Sequence, residues 1–208
     1  MKICIFGADG RTGVEVVKKC LEKKHSVVAF VYNPEAKKYL PDDIDVVDGN
    51  VLNKEEVSKA IEGSDAVISV IGHIKNSDPL MQTIGITNIT ESMEDHGIKR
   101  IISLTGTGVR TDGDKPSLFD KLGNIIIKLI DRERIIDGIK HAEVLKESGL
   151  DWTLLRVLKL SQSKSPDTSY KLTPHGPAEA ITPRSKVARI MVDLVESSKY
   201  VHKMPISS

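Results

Sequence analysis

A doubly wound parallel α/β sheet, with helices on both faces in three layers, is the fold class this sequence predicts, and three observations predict it. Apolar runs of strand length alternate with helical patterns through the first 160 residues, the order that produces crossover connections between parallel strands. Several of these runs carry Val and Ile on both faces, as strands covered from either side require. The third observation is the opening segment, Ile3-Cys4-Ile5-Phe6-Gly7-Ala8-Asp9-Gly10-Arg11-Thr12-Gly13. An apolar run there enters a glycine turn, then an amphipathic stretch with Val14, Val17 and Leu21 at helical spacing.

Element by element, strands are expected at 2–6, 26–32, 44–47, 65–71, 99–104 and 151–158. Helices are expected at about 12–24, 53–62, 80–96 and 118–148, the last long enough to break near Gly138. After residue 158 the chain turns rich in Ser, Thr and Pro. Ser161 to Pro183 reads as a loop region with short strands at 169–173 and 178–182, before a helix over 184–197 and a short strand near 201–205. No linker or repeat divides the 208 residues, so one domain is expected over 1–208, with 159–183 and 198–208 as a small lobe on the substrate side.

Composition narrows the partners. Thirty basic against 29 acidic side chains leave a net charge of +1, which argues against general attraction to nucleic acid or membrane and leaves a small molecule as the expected partner. No apolar stretch reaches spanning length, and the chain opens directly into a strand with no room for a cleavable signal. Cys4 and Cys20 occupy places for small buried residues without metal spacing, so no metal is expected and the cytoplasm is the expected compartment. No exposed apolar stripe that would decide the oligomeric state is evident.

Strand, glycine turn and helix in that order form a phosphate cradle. Gly7 permits the tight turn, Gly10 lets backbone approach a pyrophosphate, and Gly13 lets the helix pack on the strand. Asp9, Arg11 and Thr12 lie within the turn and join the candidate set, and the free amides of the helix start face the anion. In such sheets ligands bind beyond the carboxyl ends of the strands, so the residues that follow each strand complete the set. The second strand ends at Tyr32-Asn33, without the acid that would grip a ribose diol. Arg11, Lys37 and Lys38 are near enough to meet a 2′-phosphate, which favours NADP(H) over NAD(H). Asn50 and Val51 follow the third strand, where an amide serves either an adenine edge or a plain turn. Gly72 and His73 follow the fourth; Thr105 and Thr107 follow the fifth, where a nicotinamide ring would sit. Trp152 is expected to pack rather than stack on ligand, and His141 to lie on a helix surface.

The order of these motifs resembles the atypical short-chain dehydrogenases. The glycine turn, Asn33-Pro34-Glu35, Gly49-Asn50-Val51, Asp65-Ala66-Val67-Ile68 and Gly72 recur there in sequence. So does the stretch from Lys140 to Arg156, with Glu143, Leu145, Ser148-Gly149-Leu150 and Asp151-Trp152-Thr153. The resemblance is to NAD(P)H-binding proteins of the biliverdin reductase B (flavin reductase) and NmrA-like types. It implies a Rossmann fold with NADP(H) across the strand ends and a small substrate-facing lobe. Lys140 takes the place of that family's lysine and Thr105 that of a substrate-facing hydroxyl, the two tentative catalytic residues. Four positions depart from the pattern: Ile136 replaces the tyrosine, Gly106 a serine, Tyr32 an arginine, and Asn50 the aspartate usual after Gly49.

Without the tyrosine, ordinary carbonyl reduction is disfavoured. A planar, electron-poor acceptor such as a flavin or quinone takes hydride at a ring atom and its proton from water, so the protein need only bind and orient. A reductase of that kind is the first expectation. The alternative is a dinucleotide sensor without turnover, acting on a protein partner as NmrA-like relatives suggest.

Overall fold

The alternation is realised in the computed structural model, which describes residues 1–74, 76–163 and 169–208. β1 (Lys2–Phe6), α1 (Arg11–Glu22), β2 (Ser26–Val31), β3 (Asp45–Asp48), α2 (Lys54–Ile61), β4 (Ala66–Ser69), α3 (Met81–Asp95), β5 (Arg100–Gly106) and β6 (Asp151–Val157) follow in chain order. With β8 (Leu172–Thr173) and β10 (Ile206–Ser207) they form a sheet of order β3-β2-β1-β4-β5-β6-β10-β8. All pairings are parallel except β8 against β10. β1 lies between β2 and β4, with Ile3 opposite both Val27 and Ala66. The chain crosses from one half of the sheet to the other there, so the glycine turn sits at the topological switch point, the place where doubly wound sheets receive ligands.

The strand period of two sorts side chains between two cores. Ile3 and Ile5 pack with Val16, Val17 and Cys20 of α1 and with Val187, Ile190 and Met191 of α6 (Arg184–Val195). Cys4 and Phe6 pack on the other face with Val57, Ile61, Ile86, Ile89, Met93 and Leu145. Burial pushes both thiols up, that of Cys20 to about 12 against the pull of Lys23, so both cysteines behave as small apolar residues. Trp152 packs, as expected, at 6% exposure beside His202.

Several boundaries differ from expectation. The long helix is two: α4 (Leu118–Ile130) and α5 (Arg132–Glu147). The break falls at Asp131, whose carboxylate accepts from the Arg134 amide at 3.2 Å and caps α5. Gly138 stays inside α5, because a Cβ there would lie 3.1 Å from Val109 and 3.3 Å from Thr105 Oγ1. Pro34–Tyr39 forms a short 3₁₀ helix started by Asn33. The expected strands at 169–173 and 178–182 shrink to β8 and to β9 (Thr182–Pro183), which pairs with β7 (Leu160–Ser161), and the strand near 201–205 begins at Ile206. Residues 164–168 of the expected loop lie outside the described residues.

α4 is turned contrary to the usual rule. Among the described side chains its inner face presents polar groups: Asp120, fully buried, accepts from Thr107 Oγ1 at 2.8 Å and from Arg110, and Asn124 donates to Asp120 and Thr107. Its outer face carries Leu118, Phe119, Leu122, Ile125, Ile126 and Leu129, all exposed. Among the described residues no helix is long and apolar enough to cross a membrane.

Candidate functional site

Beyond the carboxyl ends of β1, β2, β4, β5 and β6 lies one continuous cleft of about 1210 Å³. Its floor is the glycine turn. Gly7 has φ +77°, a conformation that favours glycine, and a Cβ there would sit 3.0 Å from the Val70 carbonyl. A Cβ on Gly13 would fall 2.0 Å from the Gly7 carbonyl, so only glycine lets α1 lie this close to β1. Gly10 is the N-cap of α1 and no side chain caps that helix start, which leaves its leading amides for an anion. The cradle fits a dinucleotide pyrophosphate. Gly7, Asp9, Gly10, Arg11 and Thr12 line the cleft, whereas Gly13 is buried beneath it. Arg184 begins α6 beside this turn, and its guanidinium pKa is lowered by burial and then by the Arg11 charge. Two helix starts and two cations thus meet at the cradle.

At the end of β2 the structure supplies an acid that the strand itself lacks. Asp9 Oδ2 accepts from the backbone amides of Tyr32 at 3.1 Å and Asn33 at 2.9 Å. Lys37 is ion-paired to Asp48 at 2.5 Å, and Lys38 lies over the Tyr39 ring. Neither lysine lines the cleft. Tyr32, Asn33, Asn50 and Val51 do. The Asn50 side chain accepts from the Leu52 amide at 3.0 Å, so its oxygen makes the turn.

The far end is formed mainly by the apolar side chains Leu104, Val109, Ile135, Val157 and Leu158, with Thr105, Thr107 and Asn124 among them. Gly72 has open space around it. His73 also lines the cleft, with Nδ1 3.2 Å from Ser77 Oγ and Nε2 2.8 Å from Asp137 Oδ2, the latter an ion-pair distance off the hydrogen-bond line. Asp137 is fully buried and accepts from the amides of Gln82 and Thr83, both at 2.9 Å. Those amides open α3, whose own N-cap residue is Leu80, so Asp137 caps α3 from across the cleft wall.

Helical phase separates the remaining candidates. Arg134 and Ile135 of α5 face the cleft, while Ile136 and Lys140 are exposed on the outer side, so Lys140 is not brought to Thr105. His141 is the converse correction: expected at the surface, it is fully buried, 2.9 Å from Ser103 Oγ and 3.4 Å from Gln82 Oε1. Burial lowers its pKa to about 4 against the pull of Asp137, leaving it neutral. A Cβ on Gly106 would meet no atom nearer than 3.9 Å, so packing does not enforce the departure from serine. Arg156 is fully buried on β6, outside the cleft lining. All five of its N–H groups are used: on the carbonyls of Met204, Val109 and Pro174, and on both oxygens of Asp114.

A cradle at the switch point, a cleft across the strand ends and no capping side chain at the pyrophosphate position define a dinucleotide-binding Rossmann protein. The chain belongs to the family described as NAD(P)H-binding, whose model matches residues 7–198. Photosystem II assembly factor Ycf39 of Synechocystis is 24% identical over 106 residues, covering 49% of this chain and 32% of that protein. The chain spans only about half, or less, of the length of such curated relatives. Among solved structures, a putative NAD-dependent epimerase/dehydratase from Bacillus halodurans superposes with a TM-score of 0.79 at 23% identity, over 100% of this chain and 93% of that one. ChuY, an anaerobillin reductase from Escherichia coli, gives 0.81 at 17% identity, over 100% and 96%.

Proposed function

We propose that the chain is a reductase passing hydride from a bound nicotinamide dinucleotide to a flat conjugated acceptor of the flavin or quinone class. One observation carries the reading: the cleft continues past the cradle into a mainly apolar end that, among the described residues, carries the hydroxyls of Thr105 and Thr107, the latter donated to Asp120, and no tyrosine. A bound dinucleotide would supply the hydride. The chain's own part is to hold the pyrophosphate on the glycine turn, bring the two rings face to face and exclude water between them. Thr105 orients the ring-side polar group, and His73, steadied by Ser77 and Asp137, offers a polar contact at the rim. Solvent provides the balancing proton.

We infer NAD(H) as the preferred dinucleotide from the placement of Asp9 at the end of β2. The sequence expectation of NADP(H) leaned on Arg11, Lys37 and Lys38; Arg11 lines the cleft, while Lys37 pairs with Asp48 and Lys38 lies over the Tyr39 ring. Asp9 takes the β2 amides that a 2′-phosphate would use and sets a carboxylate against it, while Asp9 Oδ1 meets no amide among the described residues and suits a ribose hydroxyl. Purified protein with NADH and FMN or menadione should oxidise the nicotinamide above background. Tight NADH binding with no turnover across flavins and quinones would overturn the reductase reading. That outcome would favour a regulator acting on a protein partner, the second reading, to which the likeness to a protein described as an assembly factor lends support.

A further inference from the structure

α4 is amphipathic with its faces reversed, and a second surface must account for the reversal. Asp120 and Asn124 tie the polar side to Thr107 at the cleft wall, while six large apolar side chains face outward, Leu118 and Leu129 at 81% exposure and Phe119 at 76%. A contiguous apolar face of this kind on an otherwise ordinary surface marks a docking site. The charges say what docks. The charged side chains that α4 exposes, Lys121 and Lys128, stand seven residues apart along one edge of the apolar face, and the helix's acid, Asp120, is buried. Residues 115–134 carry five cations against three carboxylates, so the near-neutral total charge conceals a basic region. A second copy paired α4 to α4 about a two-fold would set these lysines against each other with no exposed α4 carboxylate between them. An anionic bilayer surface offers what both parts of the face require: acyl chains for the side chains and phosphates for the lysines.

We propose that α4 is an interfacial helix that seats this protein on anionic lipid surfaces, with the cleft opening beside the headgroups. Docking stands independently of the reductase reading; only the delivery of a lipid-soluble acceptor would rest on it. The test is flotation of the full chain with vesicles of phosphatidylcholine alone and of phosphatidylcholine with phosphatidylglycerol. The wild type should float with the mixed vesicles and release as salt rises. Phe119→Asp with Leu129→Asp should cut partitioning by roughly tenfold or more, since each removes a buried apolar anchor. Lys121→Glu with Lys128→Glu should erase the preference for anionic over neutral vesicles. Both doublets alter exposed side chains, so unchanged thermal melts and NADH affinity establish that they are folded. Failure of the wild type to float with either vesicle overturns the proposal. So does a wild-type dimer, seen by light scattering, that the Phe119→Asp/Leu129→Asp protein loses, which would make the face a self-association surface. Loss of NADH turnover with docking intact would instead count against the function proposed above.

Discussion

His141 ties the acid stability of this protein to one buried ring. Its folded pKa of about 4 lies below the unfolded histidine value of about 6.5. Between those values the unfolded chain binds a proton that the native state refuses, so stability falls as pH falls through that window and is unaffected by this group above it. A gap of roughly 2.5 units at about 1.4 kcal/mol per unit sets a ceiling of about 3.5 kcal/mol. That is a large share of the ~5–15 kcal/mol typical of a domain. The perturbation is His141→Gln, which keeps hydrogen-bonding capacity toward Ser103 and Gln82 but cannot titrate. Urea unfolding near pH 7 and near pH 4.5 should show the wild type losing about 2 kcal/mol more than the variant, the part of the ceiling that falls between those pH values. Asp114 and Glu196, whose carboxyl pKa values are lowered, also lose their contribution in acid, but they do so in both proteins and cancel in the difference. Parallel pH profiles for the two proteins would refute the buried neutral histidine.

Asp9→Asn should narrow a wild-type preference for NADH over NADPH by about tenfold, or ~1.4 kcal/mol, in calorimetric affinities; an unchanged ratio would remove Asp9 from the discrimination. Gly13→Ala places a methyl 2.0 Å from the Gly7 carbonyl, so α1 must shift and dinucleotide affinity should collapse, measured by nicotinamide fluorescence. Asp137→Ala uncaps α3 and should cost about 1–2 kcal/mol of urea stability. Its loss should also speed amide exchange at Gln82 and Thr83, whose protection would otherwise have another source.

The first half of the fold is legible because its signals are local. An apolar run, a glycine turn and a helix stripe place β1 and α1 within a residue or two of their observed bounds. The break after Ile130 escapes a reading that treats glycine as the breaker, because Gly138 answers to the close approach of Val109 and Thr105, a contact made by distant chain. The signal at the true break is present in Asp131-Arg132-Glu133, a cap followed by an acid in the first turn. Periodicity likewise finds a face on α4 but not which way it points; that is decided by Asp120 and Asn124 meeting Thr107. Lys140 and Glu143 make His141 look superficial, yet Asp137, His141 and Leu145 recur at helical spacing and mark the buried side. The acid missing from the end of β2 is not found along that strand, because Asp9 reaches it through space from 24 residues earlier than Asn33.

The guanidinium of Arg156 joins three distant stretches of chain in one all-or-none arrangement. Its five bonds reach three separate segments, around Val109–Asp114, at Pro174 and at Met204, and each would leave a buried polar atom stranded if it alone were withdrawn. Apolar packing yields by small increments, but a fully subscribed cation does not. The three segments therefore hold register together, and Val109, in the one of them that lines the cleft, is fixed with the rest.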